Sequence, residues 1–201
     1  MKYLFIILLW TGYCSLHSYL ISIRFTNYLT RRLKSYYSFY RLFYVIISLA
    51  LLIPLINYST RLADAVIITY KFPFSIIRYT FTWGSLLTFF WAFFFNYDSL
   101  SFFGIRQILE YRGIVKISSS EKIKKNGLLG LMRHPMYTAL IIYLWCQTFR
   151  FTDVIVNFVL TIYLIIGTQL EEKKLVLEFG DSYIKYQQEV PMLIPFIKRK
   201  V

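Results

Sequence analysis

Five stretches of this chain contain no Asp, Glu, Lys or Arg, and their lengths constrain the fold more than any other feature. They cover residues 3–23, 42–60, 79–97, 135–149 and 154–170, which is 21, 19, 19, 15 and 17 residues. About 20 apolar residues in a row cross a hydrocarbon core of ~30 Å as a helix, which satisfies its own backbone hydrogen bonds. The pattern predicts an all-α integral membrane protein, a single membrane domain over 1–201 with about five transmembrane helices. The fourth and fifth runs are separated only by Arg150-Phe-Thr-Asp153, so they read as a tight C-terminal helical hairpin followed by an amphipathic cytoplasmic tail. At 15 residues the fourth run is short, and its helix is expected to start before Pro135 and to take in 128–132. The first run, preceded by Lys2, has the look of a secretory signal. No small-residue cleavage site follows it and it continues to residue 23, so a membrane helix is expected there.

Composition narrows the class further. Hydrophobic residues make up 57% of the chain and charged residues 16%, against about 25% charged in an ordinary soluble domain. So apolar a chain is not disordered. Its basic residues punctuate apolar runs instead of lining a polar face, which argues against nucleic acid as a partner. Cys14 and Cys146 both sit inside apolar runs, giving neither a disulfide framework nor a zinc spacing, and two histidines leave no metal set. No G-x-G-x-x-G opens a helix, which excludes a soluble dinucleotide-type cofactor fold.

The net charge of +13 becomes informative once it is placed. With five spans, residues 24–41, 98–127 and 171–201 share one side, and they hold 17 of the 23 basic residues. Positive charge is retained in the cytoplasm, so the N-terminus is expected outside and the C-terminus in the cytoplasm. Attraction to anionic lipid is the simplest further role for these basic loops. Residues 98–113 read as an interfacial amphipathic helix, and 173–188 show a similar pattern that would suit a lid.

Two local features are not explained by topology. Arg133-His134-Pro135-Met136-Tyr137 opens the fourth span, with Pro135 suited to a first helical turn and His134 and Tyr137 on one face. Glu171 and Glu172 follow the fifth span, where the helix dipole favours cations over carboxylates. Each admits a plain structural reading: a snorkelling Arg with an aromatic belt, or a solvated helix end. A hairpin brings both ends to one cytoplasmic mouth, however, and ionisable groups gathered there mark a candidate site. Carboxylates accept hydroxyl hydrogen bonds, as from a ribose, and Arg holds a carboxylate in a bidentate pair. S-adenosylmethionine fits that set, as do other zwitterionic ligands.

Arg133-His134-Pro135-x-Tyr137, Glu171-Glu172-x-x-Leu175, Phe179-Gly180-Asp181-x-Tyr183-x-x-Tyr186 and Val190-Pro191-x-x-x-Pro195-Phe196 together resemble the isoprenylcysteine carboxyl methyltransferase superfamily of membrane methyltransferases. The similarity spans residues 122–198, the expected cofactor-binding core. It implies S-adenosylmethionine as cofactor, contacted by His134, Pro135, Met136, Tyr137 and Glu171; Arg133 and Glu172, at the same mouth, are expected to bind the cofactor with them. Carboxyl-methylating members often carry an Arg four residues before the first Glu; here Gly167 stands there. Gly-x-Gln-Leu-Glu-Glu, together with Phe103-Gly104-Ile105-Arg106-Gln107 and Leu16-His17-Ser18, looks more like the branch that methylates methanethiol. A small thiol is therefore the first expected substrate, with a prenylcysteine carboxylate or another lipid-like, membrane-dissolved acceptor as the alternative. Because a thiol attacks as thiolate, His17 and Arg106 become candidate catalytic residues, as base and as cation; a His bonded to a neighbouring helix is the alternative for His17. A sterol-reductase-like NADPH enzyme, whose Asn is Met136 here, and a non-catalytic membrane protein are the rival readings.

Overall fold

The computed structural model describes residues 1–62, 64–115 and 125–195. Lys116, Lys122, Lys124 and the basic residues 198–200 lie outside the described residues, as do both ends of the 122–198 core. In chain order the elements are α1 (Lys2–Leu20), α2 (Ile23–Leu33), a 3-10 turn (Lys34–Phe39), α3 (Tyr40–Arg61), β1 (Val66–Ile68), α4 (Phe74–Trp91) and a π turn (Ala92–Asn96). They continue with α5 (Ser99–Phe102), α6 (Ile105–Tyr111), α7 (Leu128–Leu131), α8 (Pro135–Trp145), β2 (Phe149–Arg150), α9 (Phe151–Phe179) and α10 (Asp181–Glu189). Among the described residues the protein is all-α apart from two short β segments.

Among the described residues, three helical stretches are long and apolar enough to cross a membrane: Lys2–Leu20, Ile23–Arg61 and Phe151–Phe179, with mean hydropathies of 1.3, 2.2 and 1.8. They coincide with the first, second and fifth apolar runs. The third run forms α4 and its π turn. The fourth yields only the 11 residues of α8, because the helix does not start before Pro135 as its sequence suggested. α7 stops at Leu131, Met132 is extended (φ −152°, ψ 147°) and His134 sits at φ −125°, ψ 63°. The Pro135 ring disfavours a helical residue before it and supplies no N–H, so the helix begins afresh at the proline.

The chain folds as two compact units. The first comprises residues 1–67, 98–115 and 150–160, and the second 68–97, 125–149 and 161–195. In the first, Ile6, Trp10, Leu55 and Val156 form the buried core, lined by Leu9, Leu52 and Val159. Trp10 Nε1 donates to Ser59 Oγ at 3.0 Å, and Tyr40 Oη donates to the Leu20 carbonyl at 2.7 Å, tying α1 to α3. Ser22 caps α2 by accepting from the Phe25 N–H at 3.3 Å. Asp64 gathers Lys2 Nζ at 2.5 Å, Tyr3 Oη at 3.2 Å and the Thr152 N–H at 3.1 Å. The Lys2 and Thr152 hydrogen bonds hold its carboxyl at about 2, well below the usual range.

The amphipathic stretch 98–113 is not one helix but two, α5 and α6, broken at Gly104. That residue takes φ +81°, and a Cβ on it would lie 2.6 Å from the Leu42 nitrogen and 2.9 Å from Arg41 Cβ. Only glycine allows both the left-handed turn and the close approach to α3.

In the second unit, α4 and α8 pack side by side. Thr82 Oγ1 donates to the Cys146 carbonyl at 3.3 Å, and Trp145 Nε1 to Thr161 Oγ1 at 2.9 Å. Gly180 (φ +57°) turns the chain between α9 and α10. Tyr183, Tyr186 and Val190 then fold back onto Leu175, Val176 and Phe179 as a second small core.

Candidate functional site

The second unit assembles Arg133, His134, Tyr137, Glu171 and Glu172, the residues that the hairpin reading expected to meet. The assembly starts from the break before Pro135. Because Met132 is extended, the Arg133 and His134 N–H groups point away from any helix. They donate to the carbonyls of Pro191 and Met192 at 2.9 and 3.1 Å. Thr138 Oγ1 adds a bond to the Leu193 carbonyl at 2.7 Å. The segment after α10 is thereby laced along the start of α8, satisfying backbone donors that a helix start leaves without partners.

Glu172 is the hub. Its Oε1 accepts from Arg133 Nε at 2.5 Å, from His134 Nε2 at 3.2 Å and, weakly, from Tyr183 Oη at 3.4 Å. Its Oε2 accepts from Arg133 Nη2 at 2.8 Å and Gln187 Nε2 at 3.0 Å. Arg133 Nη1 reaches the carbonyls of Gln187, at 2.9 Å, and Val190. Both side chains are about nine-tenths buried. A buried ion pair persists only when its remaining lone pairs and protons are also satisfied, and the tail supplies those partners. Burial beneath α9 and Glu172 raises the hydroxyl pKa of Tyr183, and burial pushes that of Tyr186 to about 12; both phenols stay protonated as donors.

Glu171 behaves differently from its neighbour. Its side chain is one-third exposed, and its hydrogen-bond partner is Tyr137. His134 is 2% exposed with its ring edge-on to Tyr137, centroids 5.7 Å apart. Its Nδ1 is buried without a hydrogen-bond partner, and the nearest charged atom is Glu171 Oε2 at 4.0 Å. Met136 and Pro135 lie in the first turn of α8, Pro135 buried and Met136 half-buried. Gly167 has nothing within 4 Å of the place a Cβ would occupy.

His17 and Arg106 fall in the first unit. His17 Nδ1 lies 3.1 Å from Ser48 Oγ, and Nε2 lies 2.7 Å from Tyr44 Oη, bonding α1 to α3. Arg106 forms an ion pair with Asp98, the residue that caps α5. Tyr183 and Gln187 were not singled out as site residues from the sequence. The available signal was spacing: positions 183, 186, 187 and 190 share one helical face.

These features define a class: an all-α membrane protein with a polar, partly buried cluster between a broken helix start and a carboxylate pair. Within that class the chain is similar to methanethiol S-methyltransferases. It is 36% identical over 99 residues to the enzyme of Crocosphaera subtropica, which covers 49% of this chain and 38% of the relative. To that of Pseudomonas deceptionensis it is 36% identical over 99 residues, 48% of this chain and 37% of the relative. To methanethiol S-methyltransferase 1 of Bradyrhizobium diazoefficiens it is 33% identical over 114 residues, 56% and 39% of the two chains. The chain thus spans about two fifths of the length of the curated relatives it matches. No family model matches it, and no solved structure does.

Proposed function

We propose that the protein is an S-adenosylmethionine-dependent membrane methyltransferase acting on a small thiol. The observation that carries this reading is the pair of acceptors left open in an otherwise saturated cluster: His134 Nδ1, buried and without a partner, and the Glu171 carboxylate 4.0 Å away. S-adenosylmethionine offers what such a pair lacks, hydroxyl and ammonium donors and a net positive sulfonium. His134, Pro135, Met136, Tyr137 and Glu171 would hold it, with Arg133 and Glu172 bracing them from behind. When bound, that cofactor supplies an electrophilic methyl group.

What the chain contributes is placement and exclusion of water. In-line methyl transfer needs the acceptor sulfur held on the axis of the breaking bond, and positioning of this kind removes much of the barrier. Desolvating the acceptor as thiolate adds to its reactivity. Names of the relatives favour methanethiol as acceptor. Gly167 supports the same choice over a prenylcysteine carboxylate, since it offers no cation to bind one. His17 and Arg106 remain the sequence-derived candidates for handling the thiol proton and charge. The same reading takes the protein to be five-span, with the N-terminus outside and the site open to the cytoplasm.

Titrating purified protein with S-adenosylhomocysteine, followed by calorimetry, tests the reading. Saturable binding supports it. Saturable NADPH binding without S-adenosylhomocysteine binding replaces it with a reductase. With labelled cofactor, methylation of methanethiol but not of a prenylcysteine analogue supports the thiol; the reverse outcome overturns that choice.

A further inference from the structure

We infer that Glu172 is a positioning residue rather than a ligand-binding one: it fixes His134 as the tautomer with its proton on Nε2, so that Nδ1 is presented as an acceptor. The inference rests on the cofactor reading above for what the acceptor meets, and on geometry alone for the tautomer.

An ionised carboxylate accepts about four hydrogen bonds. Glu172 already lies within reach of Arg133 Nε and Nη2, His134 Nε2, Gln187 Nε2 and Tyr183 Oη. It has no capacity for a ligand. A carboxylate can only accept, so the imidazole nitrogen facing it at 3.2 Å is the one that carries hydrogen. In neutral imidazole the other nitrogen is then an acceptor. That other nitrogen, Nδ1, is buried, has no partner and faces Glu171 Oε2 at 4.0 Å, beyond hydrogen-bond range. Two acceptors face one another with no hydrogen between them.

The consequence is a polarity for the site. A ligand group with two N–H or O–H donors satisfies both acceptors, so the cluster takes the donor-bearing part of its ligand, hydroxyls or an ammonium. A ligand carboxylate is disfavoured here, because Glu172 and two carbonyls already take four of the five Arg133 N–H donors. Adjacent glutamates thus divide their work: one sets the tautomer, the other meets the ligand.

The chain contains two histidines, so imidazole-15N-labelled protein gives two ring spectra, and His17→Gln assigns them. In ligand-free wild type, His134 is expected with its hydrogen on Nε2 and none on Nδ1. Adding S-adenosylhomocysteine is expected to move Nδ1 as it accepts a hydrogen bond, with Nε2 little changed. An Nδ1–H tautomer or an imidazolium in wild type overturns the inference. Glu172→Gln, whose amide holds one acceptor oxygen where the carboxylate holds two, is expected to loosen the hold on Nε2–H and to weaken S-adenosylhomocysteine by roughly tenfold or more, one charged hydrogen bond's worth; an unchanged S-adenosylhomocysteine affinity in that variant also overturns the inference. Should that variant fail to fold, the wild-type spectrum decides alone. A folded wild type with the Nε2–H tautomer that binds no S-adenosylhomocysteine sinks the cofactor reading and leaves the tautomer assignment standing.

Discussion

Arg133 grips Glu172 side-on, Nε to Oε1 at 2.5 Å and Nη2 to Oε2 at 2.8 Å, with both side chains about nine-tenths buried. Two parallel charged hydrogen bonds make this a strong and geometrically specific contact. Its energetic weight lies in what remains if one half is removed.

Glu172→Ala leaves a buried guanidinium without its counter-charge and is expected to cost about 3–5 kcal/mol of stability. The double variant Arg133→Met, Glu172→Leu removes both charges and is expected to lose less than either single change. Thermal unfolding in a fixed detergent gives both comparisons. A single variant no less stable than the double one would show that the pair is not the strut described here.

Glu171→Gln is expected to act on binding instead. Its side chain is one-third exposed and outside the Arg133 network, so the unfolding midpoint should move less than for Glu172→Ala. S-adenosylhomocysteine affinity should fall by about 1.5–3 kcal/mol, the range for a hydrogen bond to a charged group. Calorimetry on the two variants side by side reads the contrast.

Two glycines should respond in opposite directions. At Gly104, with φ +81° and Leu42 and Arg41 under 3 Å from a new Cβ, alanine is expected to destabilise by about 1–3 kcal/mol. At Gly167, within α9 and with open space around a Cβ, alanine is expected to stabilise by about 0.5–1 kcal/mol through helix propensity. Unfolding midpoints of the two variants test both signs.

The pH dependence of stability should carry a contribution from Asp64. Its folded value, about 2, lies below the ordinary 3.8. A depressed acid stabilises above its unfolded value, and that contribution is lost as pH falls through the folded value. Wild type should therefore lose stability between about pH 4 and pH 2, and Asp64→Asn should lose less over the same window. Parallel profiles for the two proteins would remove Asp64 from the account.

Spacing of charges made the long helices legible, since α3 and α9 each cover an uncharged run and α1 covers all but the last three residues of one. Convergence of Arg133, His134, Tyr137 and the two glutamates was legible too, because a hairpin must return its ends to one side. Breaks were not. Residues 128–132 and 135–149 are both apolar and read as one helix across Arg133-His134, yet Pro135 and the tail's carbonyls divide them into α7 and α8; likewise Gly104 divides an amphipathic stretch whose polar and apolar positions match one helix. The different fates of Glu171 and Glu172 were also hidden. Neighbours on a helix point about 100° apart, so one meets Arg133 while the other meets Tyr137, but the pair of letters does not say which. Gln187 became visible only once α10 folded back.

The lacing of Pro191, Met192 and Leu193 along the start of α8 has a consequence for how the molecule is made. Arg133 finds its carbonyl acceptors, Gln187 and Val190, only in the segment that follows α9, so its buried charge is fully satisfied only after α10 has folded back; until then the guanidinium has Glu172 alone.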